Sequence, residues 1–118
     1  MRYIVNLLTA AGLALLLAIS AQAETILPKE ASHYVGSVVT VEGVVSQVST
    51  SRSGTTFINF GGRFPNHVFY AVIFRKNLDQ FSRVHALEGR AVAISGTVDL
   101  YKGKPQIILR SPDQIEMR

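Results

Sequence analysis

The segment Gly36-x-x-Val39-x-Val41-x-Gly43-x-Val45 returns 53 residues later as Gly89-x-x-Val92-x-Ile94-x-Gly96-x-Val98. β-Branched residues at every second position mark a half-buried strand, because successive side chains of a strand point to opposite faces. In each copy one of these alternate positions is glycine. A glycine inside a strand marks a bend, a bulge or a close backbone approach. Two copies are too few for a solenoid, which needs at least three. Two long strands bent at their centres are instead what a small closed barrel requires to turn its corners.

The first 23 residues stand apart. Met1-Arg2 is a short positive start, Leu7 to Ile19 is an uncharged apolar run, and Ala21-Gln22-Ala23 is a small-x-small site. Together they predict a secretory signal peptide, residues 1–23, removed after Ala23. A retained membrane anchor is the competing reading, but the apolar run is short for a span of about 20 residues. The chain has no cysteine, which a bacterial lipoprotein anchor requires. Removal leaves residues 24–118 as a single domain, periplasmic or secreted, without stable membrane association.

Twelve basic and eight acidic residues give a net charge of +4, and loss of Arg2 leaves +3. Such mild basicity permits an anionic partner without demanding one. Nearly half of the chain is apolar, enough for a core. Lack of cysteine also excludes disulfides and thiolate metal sites, so the core alone must hold the domain.

In order, residues 24–34 open as a loop with one or two helical turns starting near Pro28. Val39 to Val45 and Thr55 to Phe60 form two strands around the polar turn Ser49 to Gly54. Gly61 to His67 is a glycine- and proline-punctuated loop. Val68 to Phe74 is short, apolar and aromatic, which favours a third strand. Leu78 to Phe81 is a short helix capped by Asn77. Arg90 to Leu100 and Pro105 to Arg110 are the last two strands, joined by the tight turn Tyr101-Lys102-Gly103-Lys104. Pro105 places the start of the fifth strand at an edge. Val39, Val41, Val45, Ile58, Phe60, Val92, Ile94, Val98, Ile107 and Leu109 are the expected interior. Leu78 and Phe81 would plug the open end.

The predicted fold is therefore all-β: a five-stranded Greek-key barrel with a short helix between strands 3 and 4. This is the layout of the oligonucleotide/oligosaccharide-binding (OB) fold. Particular residues carry a matching resemblance. Val41-Glu42-Gly43-Val44-Val45, followed by Thr55-Thr56-Phe57-Ile58-Asn59-Phe60, resembles the opening hairpin of nucleic-acid-binding OB-fold domains. These include the anticodon-binding domain of class II aminoacyl-tRNA synthetases. Ile94-Ser95-Gly96-Thr97-Val98, with Tyr101 to Leu109 and Ser111 to Ile115, resembles small exported bacterial OB-fold proteins of that superfamily. The resemblance runs from about Gly36 to Met117. It implies that an aromatic ring on the second strand stacks on a base, and Phe57 matches that position.

Ligands of this fold lie across strands 2 and 3, between the 1–2 and 4–5 loops. The first loop carries Arg52, and the second carries Tyr101, Lys102 and Lys104. Phe57, Asn59 and Tyr70 occupy the face between them. Cations for phosphates and rings for stacking make the single-strand recipe. Arg63, Arg75, Lys76 and Arg110 would widen the positive rim. Each residue also has a plainer reading. Phe57 turns inward on a one-residue slip; Lys102 and Lys104 belong to a soluble hairpin turn; Arg52 is a solvated tip; Tyr70 packs beneath the loop of Phe64. The expected partner is single-stranded nucleic acid or a similar anionic chain, bound by a monomer. A saccharide, a small molecule or a protein partner in an envelope or stress role is the alternative.

Catalysis finds no constellation. His33, His67 and His85 lack ligand spacing, and no G-x-S-x-G elbow occurs. Glu42, Glu88, Asp99 and Asp113 are scattered singly. The expectation is a non-enzyme, without metal or cofactor.

Overall fold

The structure is a computed structural model and describes residues 23–118. The expected signal peptide lies outside the described residues, Ala23 apart. The strands are β1 (Glu24–Ile26), β2 (Val38–Thr50), β3 (Thr56–Phe60), β4 (Phe69–Ile73), β5 (Ala91–Thr97), β6 (Asp99–Tyr101), β7 (Lys104–Ile108) and β8 (Ile115–Met117). Short 3-10 segments cover Pro28–Tyr34, Arg75–Gln80, Val84–Leu87 and Pro112–Gln114.

Hydrogen bonds connect the strands in the order β6-β7-β4-β3-β2-β5-β8, with β1 parallel to β2. The sheet is mostly antiparallel, with β4 and β7 a further parallel pair. Its eight strands differ from the expected five. The expected fourth strand breaks at Val98, and its two halves change partner: β5 pairs with β2, and β6 pairs with β7. Two short edge strands, β1 and β8, are added by segments read as loop or terminal patch.

The link between β4 and β5 also differs from expectation. It is two 3-10 segments, and Asn77 lies inside the first of them, whose N-cap is Phe74. The Asn77 Oδ1 accepts from Gln80 Nε2 at 3.2 Å, so it is spent within the turn. Leu78 and Phe81 nevertheless pack against the core.

β2 holds the sheet together because it serves two neighbours. Val38–Val44 pairs with β5, and Val45–Thr50 pairs with β3. The handover falls where the sequence has Gly43, followed by a register shift between Val45 and Gln47 that leaves Ser46 unpaired. An extra residue of this kind bends a strand and re-aims a side chain. At Gly43 an added Cβ would come 2.7 Å from the Pro28 ring and 3.2 Å from Phe60. At Gly96 it would come 2.7 Å from the Ile107 Cγ2. Both glycines are therefore places of close approach.

All ten expected interior residues are at most 1% exposed. They form one cluster with Phe69, Ala71 and Ile73 of β4. Pro105 sits where its missing N–H breaks nothing. It opposes Leu100, next to the hydrogen-bonded closing pair Tyr101–Lys104, and the ladder with β4 starts one residue later, at Gln106.

No ladder joins β5 to β7 along this path. The Gln114 side chain spans the gap. Its Nε2 donates to Ser95 O of β5 at 3.0 Å and to Ile108 O of β7 at 3.1 Å. Its Oε1 accepts from Arg110 N at 2.7 Å and Ser111 N at 3.1 Å. One amide thus meets four backbone groups.

Two outcomes follow for stability. Gly96→Ala forces Ile107 to shift within a packed core, which costs about 1–3 kcal/mol. Gln114→Leu strips partners from four backbone groups at a partly buried seam, with a loss of about 1–3 kcal/mol. Urea denaturation of each variant beside wild type measures both, and an unchanged midpoint in either contradicts the packing described.

Candidate binding cleft

The register of four ladders sets which side chains share the outer face. Val48, Ile58, Ala71 and Ile107 are mutual partners across β2, β3, β4 and β7, and all four belong to the core. The rows on either side must therefore face outward. One row is Gln47, Asn59, Tyr70, Gln106 and Asp99, across five strands. The other is Ser49, Phe57, Val72 and Ile108. Phe57, Asn59 and Tyr70 thus lie together on the outer face.

This face forms the floor of a cleft of about 340 Å³. Phe57, Asn59, Tyr70, Tyr101, Lys102 and Lys104 all line it. Ser49, Phe64, Pro65 and His67 complete the lining. The volume is at the lower end for small-molecule sites, which run from about 300 to 1,000 Å³. A roomier hollow of about 470 Å³ lies beside Gly36, Thr97 and Arg110, but no aromatic ring lines it.

Rings dominate the cleft. Phe57 meets Tyr70 edge-on at 5.8 Å, Tyr70 meets His67 at 5.5 Å, and His67 meets Phe64 at 5.8 Å. Phe57 is half-buried, whereas Asn59 and Tyr70 are only 2% and 5% exposed. Tyr70 therefore also satisfies the plainer expectation, since His67 of the neighbouring loop covers its edge. Burial, reinforced by Tyr101 and Asp99, raises the Tyr70 pKa above that of an ordinary phenol, so the hydroxyl stays protonated.

Arg52 does not line the cleft. The β2–β3 ladder continues to the pair Thr50–Thr56, beyond the row of Phe57, and carries the tip past the floor. The turn is closed on itself: Gly54 N donates to Ser51 O, and Thr55 N donates to Ser51 Oγ. Arg52 is exposed at that tip, as the plainer reading had it.

Lys104 reaches the cleft but is already occupied. Its Nζ donates to Pro65 O at 2.6 Å and to His67 O at 2.7 Å, and lies 3.3 Å from His67 Nδ1. An ammonium has three donors, and these contacts use all of them. The expected phosphate-binding cation is thus a tether for the loop Gly61–His67. Lys102 remains at the rim, its Nζ 5.4 Å from the centre of the Tyr101 ring. Its backbone takes φ +50°, followed by Gly103 at +81°, the two left-handed residues of a two-residue hairpin.

The wall built by Gly61–His67 was not anticipated. Besides Lys104, two side chains at the β2 bulge hold it. Ser46 Oγ accepts from Gly62 N at 3.0 Å, and Gln47 Oε1 accepts from Phe64 N at 2.8 Å. Phe64 is 72% exposed, so the wall presents a ring to solvent at the cleft's rim. The available signal was a phenylalanine in a Gly/Pro loop without the periodicity that would assign it to the core.

Among the described residues no group of three His, Asp or Glu side chains is placed to hold a metal ion. None of the helices described is long and apolar enough to cross a membrane.

No protein-family model and no curated protein matches the chain. Solved structures do resemble it. A putative aspartyl-tRNA synthetase from Leishmania major Friedlin aligns with 84% of this chain at TM-score 0.56 and 13% identity, using 22% of its own length. Asparaginyl-tRNA synthetase from Pyrococcus horikoshii aligns with 81% of the chain at TM-score 0.55 and 14% identity, using 23% of its length. The OBody AM1L10, seen bound to hen egg-white lysozyme, aligns with 81% at TM-score 0.58 and 20% identity, over 92% of its own length. The chain thus spans less than a quarter of these synthetases and nearly the whole of the small OBody. At such identities the likeness is one of fold, and the fold is the OB fold.

His67 supplies a pH test. Burial, and then the Lys104 charge, hold its pKa below the ordinary 6.5. Unfolding restores the ordinary value, so below pH about 6.5 the unfolded chain binds more protons than the native one. Stability should fall as pH drops from about 7 through 6.5 toward the depressed native value. His67→Gln should flatten that part of the profile, measured as Tm against pH; an unaltered slope contradicts it. Lys104→Met should lose about 1–2 kcal/mol and increase hydrogen exchange at the amides of Gly62 and Phe64.

Proposed function

We propose that this protein is an OB-fold binding domain that takes single-stranded nucleic acid, or a similar anionic chain, across the β3–β4 face. The observation that carries the reading is the meeting of Phe57, Tyr70, Tyr101 and Lys102 in one cleft. Base–aromatic stacking is worth about 1–3 kcal/mol per base and tolerates any base, because every base has a π-face. Lys102 at the rim, with Arg63 exposed on the neighbouring loop, supplies positive charge for phosphates. The reading completes with a monomer, exported to the periplasm or secreted after loss of residues 1–23, without catalysis or cofactor. N-terminal sequencing of the mature protein tests that part, with Glu24 as the expected first residue.

A specific observation favours a second reading, in which a saccharide or a small neutral molecule fills the cleft. Of the two lysines lining it, Lys104 is tied to carbonyls. That leaves few phosphate contacts near the rings.

Fluorescence anisotropy with oligonucleotides over a salt series separates the two. Binding that weakens with salt supports the first reading, since phosphate contacts release counterions. Phe57→Ala should then cost about 1–3 kcal/mol, whereas Arg52→Ala, outside the cleft, should change affinity little. Salt-independent binding of a glycan fragment, with oligonucleotides silent, selects the second.

A further inference from the structure

The floor of the cleft holds a polar atom that the protein itself does not satisfy. Asn59 is 2% exposed, and its Oδ1 is buried without a hydrogen-bond partner. Its orientation follows from a relay that starts at the backbone. Phe64 N is a donor and nothing else, so the Gln47 atom 2.8 Å from it is the oxygen Oε1. That same oxygen lies 3.1 Å from Asn59, which must therefore turn its Nδ2 to it. The Asn59 oxygen is left pointing the other way, as an acceptor with nothing to accept. An unmade bond at a buried acceptor is costly in a folded protein. A residue lining a ligand cleft is where such a cost has a use.

We propose that Asn59 is a specificity-determining residue: its Oδ1 accepts a hydrogen bond from an N–H of the heterocycle bound in the cleft. The inference rests on the nucleic-acid reading above and adds to it which edge of the base is read. The ring stacks against Phe57, the half-buried aromatic of the floor, and the base turns its donor edge to Asn59. The oxygen has less than 1 Å² open in the free protein, so the donor reaches it by displacing a neighbouring side chain. Phe64 lines the same cleft, is 72% exposed, and is the candidate for that displacement. Recognition of this kind discriminates because the acceptor is already dehydrated and unpaired in the free protein, so a ligand with the donor gains a hydrogen bond that one without it cannot make.

Thymine gives a clean probe, since N3–H is its only ring N–H once it is in a nucleotide. The experiment compares a dT decamer with the same decamer built from N3-methylthymidine, by anisotropy, on the wild type, Asn59→Leu and Gln47→Met. The wild type should prefer the unmethylated decamer by about tenfold, the scale of one hydrogen bond. Asn59→Leu should bind both decamers alike, which separates a lost hydrogen bond from the bulk of the methyl group. Gln47→Met should also reduce the preference, because the amide is no longer held in one orientation; it serves if Asn59→Leu does not fold. Equal affinities in the wild type, or a preference that persists in the variants, overturn the inference while the nucleic-acid reading stands. Failure of both decamers to bind the wild type overturns both.

Discussion

A single extra residue in β2 organises both the fold and the cleft. The register shift at Ser46 falls where β2 leaves β5 and joins β3. It lets one strand serve both halves of the sheet. It also points two successive polar side chains, Ser46 and Gln47, at the loop Gly61–His67. In an unbroken strand these neighbours would face opposite sides. The wall of the cleft is therefore a consequence of the bend that lets the sheet curve around its core.

The cleft follows from the same economy. Five strands contribute to one outer row, so side chains far apart in sequence arrive side by side without any loop having to carry them. The loop Gly61–His67 then adds the rings of Phe64 and His67 to those of the floor. Lys104 couples the two sides, since it sits at the start of β7 and grips carbonyls of the opposite wall. Its hydrogen bonds and the burial of His67 are one arrangement: a charged imidazole beside that ammonium would repel it.

Much of this was legible in the chain. Alternation with β-branched residues placed Val41, Ile58, Ile94 and Ile107 in the core, because period two permits one buried face. The same period placed Phe57 and Asn59 outward. Three features were not legible. The break of the fourth strand at Val98 depends on a change of partner, which no local pattern encodes. The role of Lys104 depends on carbonyls some forty residues earlier in the chain, and a lysine in a hairpin has the same local signature whether tethered or free. The edge strands β1 and β8 are three residues each, too short for periodicity to register. Arg52 shows the reverse case, since a cation at the expected loop stays outside the cleft when the ladder beneath it runs one pair beyond the row of Phe57.

The seam at Gln114 has a wider consequence. Elsewhere neighbouring strands are joined by backbone ladders, whose spacing does not depend on side-chain length. Between β5 and β7 the join is made by a side chain whose length is set by its codon. The width of the open side of the sheet thereby depends on one residue, which lies away from the strands β3 and β4 that carry Phe57 and Tyr70.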